Sequence, residues 1–216
     1  MKLLSVNVAL PREIIHNGKP VMTGIYKEPF EGKVMLRPLN LDGDQQADLK
    51  AHGGKYKAVY VYTFEHYAVW EQELGRDDFE FGQFGENFTV EGMTEDVIHI
   101  GDQFRIGEAL VEVTQPRVPC FKLGHKMGSQ KFVKQFLRSL RSGFYLRVLE
   151  EGEVGARDTI ECVVIGPQQM TVREVNHVLY FDSENIEQAK RALQIPALSP
   201  GWKRSFRKIV NGTATP

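Results

Sequence analysis

Cysteine is scarce in this chain of 216 residues: there are two, Cys120 and Cys162, and net charge is nearly absent as well, at −1. Two thiols form at most one bridge, and they cannot hold an iron–sulfur cluster, which usually takes four protein ligands. Their settings differ. Cys162 lies in Thr159-Ile160-Glu161-Cys162-Val163-Val164-Ile165, which reads as a buried strand, whereas Cys120 lies between prolines and cations. Two unbridged thiols are expected, which fits a reducing compartment. The balanced charge excludes the global field that draws a protein to nucleic acid or to an anionic membrane, so any anion site must come from local clustering. No apolar stretch approaches the roughly 20 residues of a membrane-spanning helix. The N-terminal Met1-Lys2-Leu3-Leu4-Ser5-Val6-Asn7-Val8 has no long apolar run followed by a cleavage site. The cytoplasm is the expected location. Nucleotide and flavin fingerprints are missing too, so a redox role would need electrons from another protein.

What is present is an ordinary globular composition, 42% hydrophobic and 25% charged, enough to bury a core without disulfide or metal staples. Short apolar runs alternate with Gly, Pro and Asp through the first three quarters, which predicts strands at 2–9, 21–27, 33–37, 57–62, 87–90, 97–100, 103–106, 109–114, 143–149 and 159–165. Gly101 and Gly107 sit where a tight turn often needs positive φ, so 97–114 reads as a three-stranded meander. Helical spacing predicts helices at 64–74, ended by Gly75, and at 129–141. After Gly166-Pro167 the strands stop. Thr171-Val172-Arg173-Glu174 is a capping box opening one helix, a second is expected over 183–193, and Ser199-Pro200 opens a third. A β-rich domain over 1–165 and a three-helix domain over 167–216 are therefore expected.

The stretch richest in chemistry is Gln115-Pro116-Arg117-Val118-Pro119-Cys120-Phe121-Lys122-Leu123, directly after a predicted strand. Two prolines stiffen the loop. Arg117 and Lys122 lie close in sequence to the thiol, and nearby cations favour the thiolate, which is both nucleophile and metal ligand. The alternative is that Cys120 is a small core hydrophobe. No acidic residue occurs between Glu112 and Glu150, an interval that holds eight Lys and Arg residues and His125. Such a block is either an anion site or a solvated helix face. His52-Gly53-Gly54-Lys55 precedes a strand and reads either as a backbone cradle for an anion or as a hairpin loop. Phe84-Gly85-Glu86-Asn87 aims a side chain at a site or serves its own turn. Thr23 to Lys27 is a strand whose lysine faces either way.

In this order the pieces resemble the MOSC domain, and most of all its YiiM-like branch. The matching residues are Gly-Lys-Pro at 18–20 with Thr23 to Lys27, Leu-Asp-Gly-Asp at 41–44, His-Gly-Gly at 52–54, Glu65-His66-Tyr67 with Trp70, Phe-Gly-Glu-Asn at 84–87, Ile-Gly-Asp at 100–102, and Gln-Pro-Arg-x-Pro-Cys-x-Lys-Leu at 115–123. The last motif is the specific one. The resemblance covers residues 1–165, and the helical tail resembles the extra domain of the same branch. It implies a mainly β (α+β) fold: a β-barrel-like domain with a C-terminal three-helix appendage. It implies a molybdenum cofactor (Mo-pterin) with Cys120 as catalytic residue and sulfur ligand to the metal, and Lys27, His52, Gly53, Gly54, Asn87, Arg117 and Lys122 as the cofactor cradle. A soft metal on a dithiolene suits a thiolate. Relatives of this branch reduce N-hydroxylated compounds, hydroxylaminopurines and hydroxylamines among them, to amines with electrons from a separate flavoprotein. The implied role is therefore a detoxifying reductase of N-hydroxylated small molecules. The alternative is a carrier of cofactor or activated sulfur without turnover. Full cofactor sulfurases also carry a pyridoxal-phosphate domain, for which this chain has no room, so sulfurase activity is not expected. A membrane partner is not expected, and a homodimer is compatible. Nucleic-acid binding by the basic Lys203-Arg204-Ser205-Phe206-Arg207-Lys208 is less favoured than a solvated face packed through Trp202 and Phe206.

Overall fold

The described residues, 1–48 and 53–213, of the computed structural model form twelve strands, six α-helices and one 3-10 turn at Lys55–Lys57. The strands are β1 (Lys2–Val8), β2 (Arg12–His16), β3 (Lys19–Thr23), β4 (Glu28–Pro29), β5 (Lys33–Leu36), β6 (Val59–Thr63), β7 (Phe88–Glu91), β8 (Gln103–Ile106), β9 (Ala109–Pro116), β10 (Phe144–Glu150), β11 (Gly152–Gly155) and β12 (Ile160–Val164). Helix α1 (Glu65–Leu74) follows β6. Helices α2 (Phe121–Lys126) and α3 (Gln130–Ser139) lie between β9 and β10, and α4 (Val172–Tyr180), α5 (Ile186–Leu193) and α6 (Pro200–Val210) close the chain.

Eight strands form one sheet in the order β12-β8-β9-β10-β6-β7-β1-β4; β5 pairs with β11 and β2 with β3. Only β6 and β7 run parallel among the named pairs, since α1 carries the chain back between them. The sheet curls until β1 meets the segment before β12 through one isolated bridge, Lys2 to Thr159, and a hydrogen bond from Leu3 N to Asp158 O. The barrel-like expectation holds in this sense: the sheet is strongly coiled, but its ladder is not closed.

Two apolar clusters hold the layers. One fills the inside of the sheet with residues such as Val6, Phe88, Phe104, Val111 and Leu146, and runs without a break into Val172, Val175, Ala192, Trp202 and Phe206 of the last three helices. The other lies on the opposite face of β6, where Tyr60, Tyr62, Trp70, Phe84, Leu123, Phe132 and Phe136 join α1, α2 and α3.

Several expectations need correction. Residues 97–100 are a turn, not a strand: Ile100 N donates to Met170 O and Val172 N to Ile98 O, so this backbone bonds to the start of the helical region. The third neighbour in the expected meander is β12, paired with β8. The strand expected over 21–27 ends at Thr23, because a Cβ on Gly24 would stand 2.7 Å from Gln45 O; the loop at 44–46 packs too closely for the strand to continue. The hairpin β2–β3, strand β11 and helix α2 were not anticipated. Cys162 is exposed, because β12 is an edge strand with one neighbour. The capping box of α4 is present, Thr171 accepting from Glu174 N.

Candidate functional site

Cys120 stands between a strand and a helix that are both firmly held. Beyond β9, Arg117 N donates to Gly143 O at 3.0 Å, tying the loop to the start of β10. Cys120 is extended, φ −131° and ψ 174°, and immediately precedes α2. That helix drives the fully buried Leu123 and the nearly buried Met127 into the second cluster. Its outer side is covered by the β2–β3 hairpin, whose His16 ring lies 4.2 Å from Phe121, and by Tyr26, whose hydroxyl is 2.7 Å from His125 Nδ1. The thiol itself is half-buried rather than sealed in the core, and no disulfide involves it.

Cys120 lies on the walls of two clefts. The first, of about 660 Å³, brings together Lys27, Asn87 and the segment that carries Arg117, Cys120 and Lys122, three stretches far apart in sequence. Arg117 is 5% exposed, with its guanidinium carbon 5.1 Å from the ring centre of Tyr60 and 5.3 Å from that of Phe136. Its Nη1 has no hydrogen-bond partner. A buried cation with an unsatisfied donor is costly unless an anion completes it. Lys122 is also buried, and among the described residues it makes no ion pair. Lys27 is paired with Asp44, and burial lowers its pKa below the usual lysine value.

Asp44 and Asn87 build the floor. Asp44 accepts from Ala9 N at 2.9 Å and from Asn87 Nδ2 at 3.0 Å, besides its pairing with Lys27. Asn87 Oδ1 accepts from Tyr60 N at 3.1 Å, and Nδ2 also donates to Asn7 O at 3.3 Å. The carboxamide of Asn87 is thus committed to the scaffold, although the residue lines the cleft. Glu86 turns away from it, accepting from Tyr67, from Gly82 N at 3.0 Å and from Phe84 N at 2.9 Å.

The second cleft, of about 1180 Å³, shares Lys57, Val118, Cys120 and Tyr145 with the first. Gly53 and Gly54 line it, separated in this way from Lys27 and Arg117, and its far wall belongs to α4 and α6. Gly54 adopts φ +90°, a conformation that suits glycine. His52 lies outside the described residues. Sequence reasoning missed Tyr60 and Tyr145, and it assigned no role to Asp44 and Lys57 although both lie in stretches that it singled out. The two tyrosines face one another in the β10–β6 register, and burial raises both phenols above their ordinary pKa. Alternation along β6 and β10 places them on the cleft side, but only once the pairing is known.

Among the described residues no group of three or more His, Cys, Asp and Glu side chains could hold a metal ion. A metal at Cys120 would therefore find fewer than three such protein ligands among the described residues and bring the others on its own carrier. Arg117, buried with an unsatisfied Nη1, and the buried Lys122, without an ion pair among the described residues, line the cleft with the thiol and fit an anionic carrier of that kind. No described helix is long and apolar enough to cross a membrane.

Comparison with known proteins adds family and relatives. The model of the MOSC domain matches residues 48–161, and that of the YiiM-like 3-alpha helix domain matches residues 170–209. The uncharacterized protein YflK of Bacillus subtilis is 44% identical over 206 residues, covering 95% of this chain and 93% of that one. A Gibberella moniliformis protein named Reductase is 30% identical over 182 residues, 83% of this chain but 32% of its own length. The crystal structure of YiiM from Geobacillus stearothermophilus superposes with a TM-score of 0.83 at 33% identity, covering 97% of this chain and 98% of that one.

Proposed function

The chain belongs to the MOSC domain family and carries the YiiM-like three-helix domain, and from that premise we propose that it is a molybdenum-cofactor-dependent reductase of N-hydroxylated compounds, hydroxylaminopurine-type bases and hydroxylamines among them. The observation that carries the reading is the placement of Cys120: half-buried, where two clefts meet, on the same cleft wall as a buried arginine whose Nη1 has no partner. The fungal relative's name, Reductase, agrees with redox chemistry.

When bound, the cofactor supplies a soft metal able to pass two electrons to the substrate. Cys120 offers the sulfur that ligates it. Arg117 Nη1 and the Lys122 ammonium neutralise its anionic carrier, and Asp44 holds Lys27 and Asn87 in register on the same wall. Gly53 and Gly54, on the second cleft, leave room for a ligand to approach the backbone. Burial keeps the Tyr145 phenol protonated, and that residue lines both clefts, so it can donate a hydrogen bond where the N–O bond breaks. The net reaction takes R–NHOH, two electrons and two protons to R–NH2 and water. The electrons come from a separate flavoprotein.

Protein made in a host that synthesises the cofactor is expected to contain molybdenum and a releasable pterin, and to reduce 6-hydroxylaminopurine with a reduced dye. Cys120→Ser is expected to lose that activity. Equal activity of the two proteins overturns the reading, and cofactor or persulfide at Cys120 without turnover under any donor selects a carrier instead.

A further inference from the structure

The second cleft holds a feature that the cofactor reading does not use. Helix α6 begins at its inner wall with Ser199-Pro200-Gly201. Serine at this position ordinarily caps a helix by accepting from an amide of the first turn. Here Ser199 makes no cap hydrogen bond. Its backbone N donates to Thr114 O on β9 at 3.3 Å, which fixes the residue. The side chain is 3% exposed, and its Oγ has no hydrogen-bond partner. Pro200 has no N–H, so the first amides of the helix are those of Gly201 and Trp202. Arg204 folds back over this turn: a Cβ built on Gly201 would lie 3.9 Å from Arg204 Nη2 and 4.0 Å from Ser199 Oγ. The guanidinium and the orphaned hydroxyl therefore both lie against the first turn, beside Gly201. The described lining of the cleft contains Lys55, Lys57 and Arg204 and no carboxylate. Next to the turn, Tyr180 and Trp202 meet edge to face at 6.2 Å and 80°, and Tyr180 is 39% exposed, which offers a flat aromatic wall.

We propose that the start of α6 is an anion subsite, where Ser199 Oγ, the first-turn amides and Arg204 take the phosphate or carboxylate of a ligand whose other end reaches Cys120. A helix N-terminus with free amides and a nearby guanidinium is suited to such a group. Two ligands carry that chemistry in this protein: an N-hydroxylated nucleotide, and the pterin cofactor through its own phosphate. The choice between them rests on the reductase reading; the subsite itself does not.

The test begins with the full chain made without cofactor, titrated with inorganic phosphate by calorimetry. Arg204→Gln and Ser199→Ala are each expected to weaken phosphate binding, Arg204→Gln by about tenfold for one charge-assisted hydrogen bond lost. Arg204 is exposed, so its replacement leaves the fold intact. Phosphate affinity equal to wild type in both variants overturns the proposal, whatever the fate of the reductase reading. The loaded enzyme then separates the two ligands. If the substrate anion binds here, Arg204→Gln raises KM for a hydroxylamino nucleotide relative to that for the free base while released pterin stays at the wild-type amount. If the cofactor phosphate binds here, released pterin falls and the ratio of the two KM values does not move.

Discussion

At the scale of single residues the first cleft is organised by a carboxylate that had no expected role of its own yet holds two of the expected cradle residues. Asp44 is almost fully buried, and it holds the buried Lys27 ammonium together with Asn87 and Ala9 N. Removing the charge from one partner of a buried pair leaves the other uncompensated, at a cost of roughly 3–5 kcal/mol. Asp44→Asn is therefore expected to lower the unfolding free energy measured by urea denaturation by an amount of that order, and the double variant Asp44→Asn with Lys27→Met is expected to recover much of it. A double variant no more stable than the single one would show that Asp44 acts through its other hydrogen bonds and not through the pair. Cys120 was legible in the sequence because everything that marks it is local: two prolines, Arg117 and Lys122 lie within four residues. Asp44 was not, because its partners lie 17, 35 and 43 residues away and become neighbours only on folding. Asn87 was read as a cradle residue from its motif, and its carboxamide hydrogen bonds tie β6 to β1 beneath the cleft.

Among the elements, α2 connects packing to chemistry. Its six residues are too few to be stable alone. What holds it is Leu123 and Met127 in the aromatic cluster, with Gln130 Nε2 donating to Phe121 O at 3.0 Å. Leu123→Ala is expected to cost about 2–5 kcal/mol, as for other fully buried leucines, and to speed alkylation of Cys120 by iodoacetamide as the turn loosens. A change in stability with no change in alkylation rate would mean that the prolines alone fix the thiol. Strands with clear periodicity or punctuation were legible, β8 and β9 among them, whose turns at Gly101 and Gly107 have the positive φ expected of them. Helix α2 was not, because a single turn leaves no periodicity to detect. Residues 97–100 misled for a different reason: their alternation is genuine, but the partner is a segment 70 residues on, so the pattern buries Ile98 and Ile100 against the helices rather than against a strand.

Across the whole molecule, the three final helices form part of the core on which the sheet depends. The cluster inside the sheet continues into α4, α5 and α6 as one body. Backbone bonds at Ile98, Ile100 and Thr114 join the two parts. A β-rich domain able to fold by itself would keep its apolar face covered without them; here Ile98, Ile100 and Met93 share their cluster with Val172, Val175 and Trp202. Deleting residues 167–216 is accordingly expected to leave a chain that keeps far-ultraviolet strand signal, loses its near-ultraviolet spectrum, binds an apolar dye and unfolds without a cooperative transition. A sharp transition with an intact near-ultraviolet spectrum would show instead that the helices sit on a finished domain. The functional consequence follows from the same contacts. Because Ser199 N donates to Thr114 O, the start of α6 and the thiol's loop are joined to the same strand, β9.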